Sequence, residues 1–148
     1  MSAPRTSHGA PSAHRSWNMS RIKSGNTAPE IAVRSMLHRL GYRFRLHDRS
    51  LPGRPDIVLK RHRAVVFVHG CFWHRHRGCK FAYTPKSNVV FWTTKLEGNV
   101  ARDKEAIRRL RRDGWRVLVV WECAVSAPAR LQRDIKGFFR RIESEAAR

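Results

Sequence analysis

Two unbroken apolar runs joined by a short basic turn constrain this chain more than any other feature. Asp56 to Lys60 reads DIVLK, Ala64 to Val68 reads AVVFV, and Arg61-His62-Arg63 lies between them. A strand with one wet face would alternate polar and apolar residues. Continuous apolar character predicts instead a hairpin buried on both faces. Helices must then cover both sides of the sheet, and the rest of the chain supplies them. Thr27-Ala28-Pro29-Glu30 has the form of a capping box with Pro in the first turn; Val33, Met36, Leu37 and Leu40 follow at helical spacing, and Gly41 is a natural stop. Tyr42, Phe44 and Leu46 alternate with charged residues, which predicts a half-buried strand, and Ser50 to Pro55 predicts a turn. A helix is expected from about Trp92 to Arg112, stopped at Asp113-Gly114. Trp115 to Trp121 is expected to be another buried strand. A last helix, about Pro128 to Glu145, puts Leu131, Ile135, Phe138, Phe139 and Ile142 on one face. The expected order is helix, three strands, irregular loop, helix, strand, helix, an α/β arrangement. Its 148 residues suffice for one core. Residues 1–16 read as a disordered basic arm and 17–148 as a single domain.

Charge narrows the partners. Lys and Arg number 31 against 11 Asp and Glu, a formal charge of +20 with a pI near 11.6. So strong a bias on a short chain fits a polyanion, because each phosphate contact releases condensed counterions. A basic solvated surface, or a ribosomal or histone-like protein without chemistry, is the alternative that composition leaves open. Met1 to Asn26 has no apolar segment of the signal-peptide kind, and no run reaches transmembrane length, so a cytosolic protein without membrane attachment is expected. Three cysteines, Cys71, Cys79 and Cys123, make an odd count that favours a metal site over a disulfide framework.

The chemistry-bearing residues concentrate between Leu51 and Cys79. Asp56 opens a buried strand, where a carboxylate costs desolvation unless it meets a cation; a divalent ion beside a phosphate is one such cation. The alternative is an idle, turn-forming Asp after Pro55. Cys71-x4-His76-x2-Cys79 offers three ligands on one loop, and Cys123 could supply a fourth to a Cys3His structural zinc site. Unrelated buried thiols are the competing reading. His69 and His74 flank Cys71 and could move a proton to or from a phosphodiester near neutral pH. Either could instead be a phosphate contact, and His74 could replace His76 on the metal. Phe72-Trp73 lies in a loop dense with charge, and Phe91-Trp92 opens the following helix. Such rings can wedge between base steps, or pack down on the domain, as Phe91 in particular is expected to do. Together these residues point to metal-dependent cutting of a nucleic acid beside a structural metal.

Longer stretches carry a specific resemblance. Asn18-Met19-Ser20-Arg21-Ile22, Asn26 to Glu30, Ser50-Leu51-Pro52-Gly53-Arg54-Pro55-Asp56, His69-Gly70-Cys71-Phe72-Trp73-His74, Phe91-Trp92, Asn99-Val100 with Arg102-Asp103, Gly114 to Val117 and Val120-Trp121-Glu122-Cys123 fall within a stretch of about residue 16 to residue 125. In these runs the chain resembles the very-short-patch repair (Vsr) endonucleases, which nick DNA at T:G mismatches. The resemblance implies a restriction-endonuclease-like fold of the PD-(D/E)xK superfamily, with a mixed central sheet flanked by helices. Phe67 stands where that superfamily has an acid and His69 where it has a lysine, as in Vsr proteins. By resemblance, Asp56 binds magnesium directly with help from the backbone carbonyl of Val68, and His74 is the general base. Glu30, His69 and Asp103 hold metal-bound waters, with two magnesium ions expected. Cys71, His76, Cys79 and Cys123 match the zinc ligands. Phe72, Trp73 and Trp92 match a wedge beside the mispair, Met19 enters from the opposite side, and Lys95 and Asn99 contact the mispaired bases. The implied substrate is double-stranded DNA whose T:G mispair arose by deamination of 5-methylcytosine, and the implied reaction is a nick 5′ to the thymine. The resemblance also implies a monomer at the bacterial nucleoid, linked in function to a cytosine-5 DNA methyltransferase, a repair polymerase and a ligase.

Overall fold

The structure, a computed structural model, describes residues 26–147; the expected basic arm and Met19 lie outside them. Helix α1 spans Ala28–Arg39, and Glu30 N–H donates to the Thr27 hydroxyl at its cap, a contact of the kind that contributes about 1 kcal/mol. Strand β1 is Arg45–Leu46, β2 Ile57–Leu59 and β3 Ala64–His69. Helix α2, Val89–Arg112, leads to β4, Arg116–Trp121, and α3 is Pro128–Ala146. The sheet order is β1-β2-β3-β4. The first two pairings are antiparallel, while β3 and β4 run parallel with His69 opposite Trp121. Parallel neighbours need a long crossover, and the Cys/His loop with α2 provides it.

The period-two alternation of strands explains the layering. Ile57, Leu59, Ala64, Val66 and Val120 face α1 and α3, against Val33, Leu37, Ile135 and Phe139. Val58, Val65, Phe67, Val117 and Val119 face the other way, toward Leu110 and Ile107 of α2. The hairpin is thus buried on both faces, as its apolar runs imply.

Three expectations need correction. The Tyr42–Leu46 segment contributes only a two-residue, exposed strand. Tyr42 N–H bonds back to Leu37 O and its ring stacks on Phe139 at 4.0 Å, so it serves as a plug for the core instead of a rung. Of the segment 115–121, Arg116–Trp121 forms an edge strand, exposed at Arg116 and half covered beyond it except at buried Val120. An apolar run alone does not distinguish a central strand from an edge that a helix partly shields. Helix α2 begins at Val89, three residues before Trp92, and this exposes Phe91 while burying Trp92.

Candidate functional site

Parallel strands β3 and β4 end together, and at that end the sheet opens into a cleft of about 760 Å³ lined by Glu30, Asp56, His69, His74, Asp103 and Glu122, among others. Among the described residues, the buried polar or charged side chains are Glu30 and His69. Both lie here. Buried ionisable groups are costly without partners, so their concentration at one point marks a site built for chemistry.

Asp56 stands one residue before β2, after the turn through Gly53. That glycine has φ +73°, and a Cβ there would lie 2.7 Å from the Ala106 Cβ, so the turn that delivers Asp56 requires glycine. The Asp56 Oδ2 accepts the Val68 N–H at 2.7 Å. Burial pushes its carboxyl up to about 6 despite that hydrogen bond, and the nearby Glu30 adds to the effect while His47 and His74 oppose it. A cation in the cleft would relieve both burial and like charge.

The two histidines of the cleft stack face to face, centroids 3.9 Å apart with 4° between planes. His74 Nδ1 lies 2.6 Å from Asp103 Oδ2, a geometry that orients the ring and leaves Nε2 to face the cleft chemistry. His69 is held down to about 4 by burial first and by neighbouring His74 second, with Asp103 pulling the other way. It is therefore neutral near pH 7. Glu30, on α1, receives Asn26 N–H at 2.9 Å and Arg34 Nη2 at 3.1 Å.

A second cluster lies behind the first. Donor atoms of Cys71, His76, Cys79 and Cys123 all lie within 4.8 Å of one another, a group able to hold a metal ion. His76 Nδ1 is 3.6 Å from the Cys71 Sγ and 3.4 Å from the Cys123 Sγ, and its ring stacks on Trp121. Of the two histidines, His76 faces the thiols and His74 faces Asp103. Burial, with hydrogen bonding to the other thiols, pushes the Cys71 thiol up to about 12. The Cys79 thiol is instead held down, first by a backbone hydrogen bond from Phe81; a bound metal would hold the thiols as thiolates. Three thiols and one imidazole suit a closed tetrahedral site.

Trp73 lines the cleft and belongs to an aromatic cluster beside it. Phe72 lies 5.1 Å from Trp73, 5.6 Å from Trp92 and 5.1 Å from Tyr83. Trp92 is 3% exposed and forms the floor of this cluster, Phe72 and Trp73 are half-buried above it, and Tyr83 is exposed at its edge. Phe91, expected to pack down, is 51% exposed. The helical phase reverses their roles, because the first turn of α2 points Trp92 inward. Asn99 Nδ2 donates to the Trp73 carbonyl at 3.0 Å and its Oδ1 accepts from Arg102, so it ties the aromatic loop to α2. Lys95, one turn earlier, is exposed.

Two residues of this region carried no assignment from sequence. Glu122 follows β4 and lines the cleft; its place directly before Cys123 was the available signal. The His47 side chain lies 3.2 Å from Glu30 Oε2, and no motif marks it.

Comparisons with known proteins agree with this geometry. The family model described as DNA mismatch endonuclease Vsr matches residues 10–80. The chain is 50% identical over 122 residues to the type II nicking enzyme V.XorIIP of Xanthomonas oryzae pv. oryzae, covering 82% of this chain and 89% of that one. It is 47% identical over 119 residues to the DNA mismatch endonuclease Vsr of Escherichia coli K12, covering 80% and 76% respectively. Among solved structures, the catalytic domain of the homing endonuclease I-Bth0305I matches with a TM-score of 0.57 at 19% identity, covering 79% of this chain and 98% of that domain. The last similarity speaks to the fold: a mixed sheet flanked by helices.

Proposed function

Because the chain belongs to the Vsr family of DNA mismatch endonucleases, we propose that it nicks double-stranded DNA 5′ to the thymine of a T:G mispair, the lesion left when 5-methylcytosine deaminates. It is a DNA endonuclease; the mispair, strand and position of the cut are the proposal. The observation that carries it is the convergence of Glu30, Asp56, His69, His74 and Asp103 in one cleft that the half-buried Trp73 also lines. The restriction-endonuclease-like assignment within the PD-(D/E)xK superfamily, with Phe67 and His69 in the usual acid and lysine places, belongs to the same reading.

The donor set fits hard divalent ions: Asp56 with the Val68 carbonyl would hold magnesium, and Glu30, His69 and Asp103 would hold its waters. Magnesium bound there would supply Lewis-acid activation of water and neutralise charge at the phosphate and leaving oxygen. Cys71, His76, Cys79 and Cys123 would hold zinc, which would supply a cross-link stiffening the loop that bears His74.

The remaining work falls to the side chains. With Nδ1–H donated to Asp103, His74 keeps a lone pair on Nε2 and accepts the proton of an attacking water. Neutral His69 stacks against it and fixes the plane of its ring. Phe72 and Trp73, backed by Trp92, enter the base stack beside the mispair, while Met19 is assigned to the opposite side and Lys95 and Asn99 to the mispaired bases. A T:G pair unstacks at lower cost than a matched pair, and the wedge converts that difference into selectivity. The +20 charge adds affinity without adding discrimination. The same reading includes a monomer acting ahead of a repair polymerase and a ligase, at sites of a cytosine-5 DNA methyltransferase. Among the described residues no helix is long and apolar enough to cross a membrane.

The test is single-turnover nicking of matched T:A and mispaired T:G duplexes in magnesium, with the cut mapped to nucleotide resolution. Equal rates on the two duplexes, or a cut elsewhere than 5′ to the thymine, would refute the proposal.

A further inference from the structure

Glu30 presents an unsymmetrical carboxylate. Its Oε2 takes the Asn26 N–H at 2.9 Å, Arg34 Nη2 at 3.1 Å and His47 Nε2 at 3.2 Å, and none of these contacts engages Oε1. Arg34 Nη2 also lies 3.3 Å from His47 Nε2, so the imidazole stands beside the ion pair. A guanidinium left alone with a carboxylate prefers to fork across both oxygens. Here the His47 ring nitrogen lies within 3.3 Å of both Arg34 Nη2 and Glu30 Oε2, so the ring crowds the pair.

How His47 comes to this place is set by the sheet. The β1–β2 register pairs Arg45 with Val58 and Leu46 with Ile57, and its continuation sets His47 opposite Asp56. The His47 N–H donates to Asp56 O at 3.1 Å. Its φ of +50° is left-handed, a conformation that costs a residue with a Cβ roughly 1 kcal/mol or more and persists where surrounding contacts impose it. Donor atoms of Glu30, His47 and Asp56 all lie within 4.8 Å of one another.

We propose that His47 is a positioning residue for the metal pocket: tied to Asp56 by its main chain and to Glu30 by its ring, it keeps Arg34 on one carboxylate oxygen and leaves Oε1 for a metal-bound water. The inference rests on the reading that Asp56 and Glu30 serve a divalent ion. Its consequence is that ion affinity, more than the rate once the ion is bound, depends on this imidazole.

Zinc-loaded full-length protein provides the test, with single-turnover nicking of a T:G duplex titrated with Mg2+ and calorimetric titration of the DNA-free protein with Mn2+. His47→Ala should raise the half-saturating Mg2+ concentration roughly tenfold and weaken Mn2+ binding in parallel. At saturating Mg2+ the rate should stay within about threefold of wild type. His47→Gln, whose amide can reach the same oxygen, should restore both values. Adding Arg34→Met to His47→Ala should recover part of the loss, because the fork that captures Oε1 is gone. If His47→Ala is poorly folded by thermal unfolding, His47→Gly, which suits the left-handed φ and likewise vacates the space beside Arg34, takes its place. Unchanged Mg2+ and Mn2+ titrations in the folded variant would overturn the proposal, as would a lower saturated rate with an unshifted midpoint. Should wild type itself nick independently of divalent ions, the underlying reading fails instead.

Discussion

His74 and His76 are separated by one residue, yet the fold delivers them to two regions with opposite chemistry. In the cleft, His74 meets Asp103 and His69 and shares the lining with Asp56, side chains able to hold and exchange protons beside a phosphate. In the cluster behind it, His76 meets three cysteines and a flat tryptophan, with every donor turned inward. One region is open and oxygen-rich, the other closed and sulfur-rich. A loop without regular structure can bear catalytic groups only if something stiffens it, and the closed region is placed to do that for the open one. On the proposed reading, stability in the second conditions chemistry in the first.

Breaking each region separately tests this division. The largest effect is expected from Asp56→Ala: nicking should fall roughly a thousandfold or more while affinity for a T:G duplex changes little, since the lost group acts on the transition state. Near wild-type nicking in magnesium would show that the cleft is organised around another residue. Next in size, His76→Ala or Cys123→Ser should lose bound zinc and lower the unfolding midpoint by about 10 °C or more. His74→Ala should keep its full zinc complement and stability while losing activity. Metal analysis of the purified variants decides, and zinc loss in His74→Ala with retention in His76→Ala would reverse the assignment of the two histidines.

A smaller effect sharpens the role of the aromatic cluster. Trp73→Ala should lower the ratio of nicking rates on T:G and T:A duplexes by about tenfold, because the wedge senses stacking strength. An unchanged ratio would move selectivity to Lys95 and Asn99.

The smallest expected signal is the pH dependence of stability in magnesium-free buffer. Asp56 is raised from its ordinary 3.8 to about 6 in the folded chain. Its contribution is present below pH 3.8 and lost as pH rises through 6. His69 is lowered from 6.5 to about 4, so its contribution is present above 6.5 and lost as pH falls through 4. The two slopes oppose each other between pH 4 and 6. Asp56→Asn removes one, so the variant should gain on wild type by up to about 3 kcal/mol between pH 4 and pH 7 in urea unfolding. A constant difference across that range would show that Asp56 titrates alike in both states.

Much of this molecule was legible in the order of its residues. The apolar runs at 56–60 and 64–68 demanded a sheet covered on both faces, and the capping box at Thr27–Glu30 marked the start of α1. The spacing of Cys71, His76 and Cys79 announced a cluster, because metal-binding loops place ligands a few residues apart. Local rules suffice there, since the interacting groups are neighbours in the chain or share one element's period. They failed at Tyr42, which left its strand to plug the core against Phe139, and at Phe91 and Trp92, where the starting residue of α2 decided which ring was buried.

By itself, then, the sequence determined the class of fold, the basic character and the kinds of donor available. Which donors meet was decided only by tertiary structure. Asp103 reaches His74 across 29 positions, Cys123 reaches His76 across 47, and His47 finds Glu30 only after β1 has paired with β2. No local pattern encodes these meetings, because they depend on where packed strands and helices end relative to one another. Burying the apolar faces sets those ends, and the polar groups carried on them meet as a consequence.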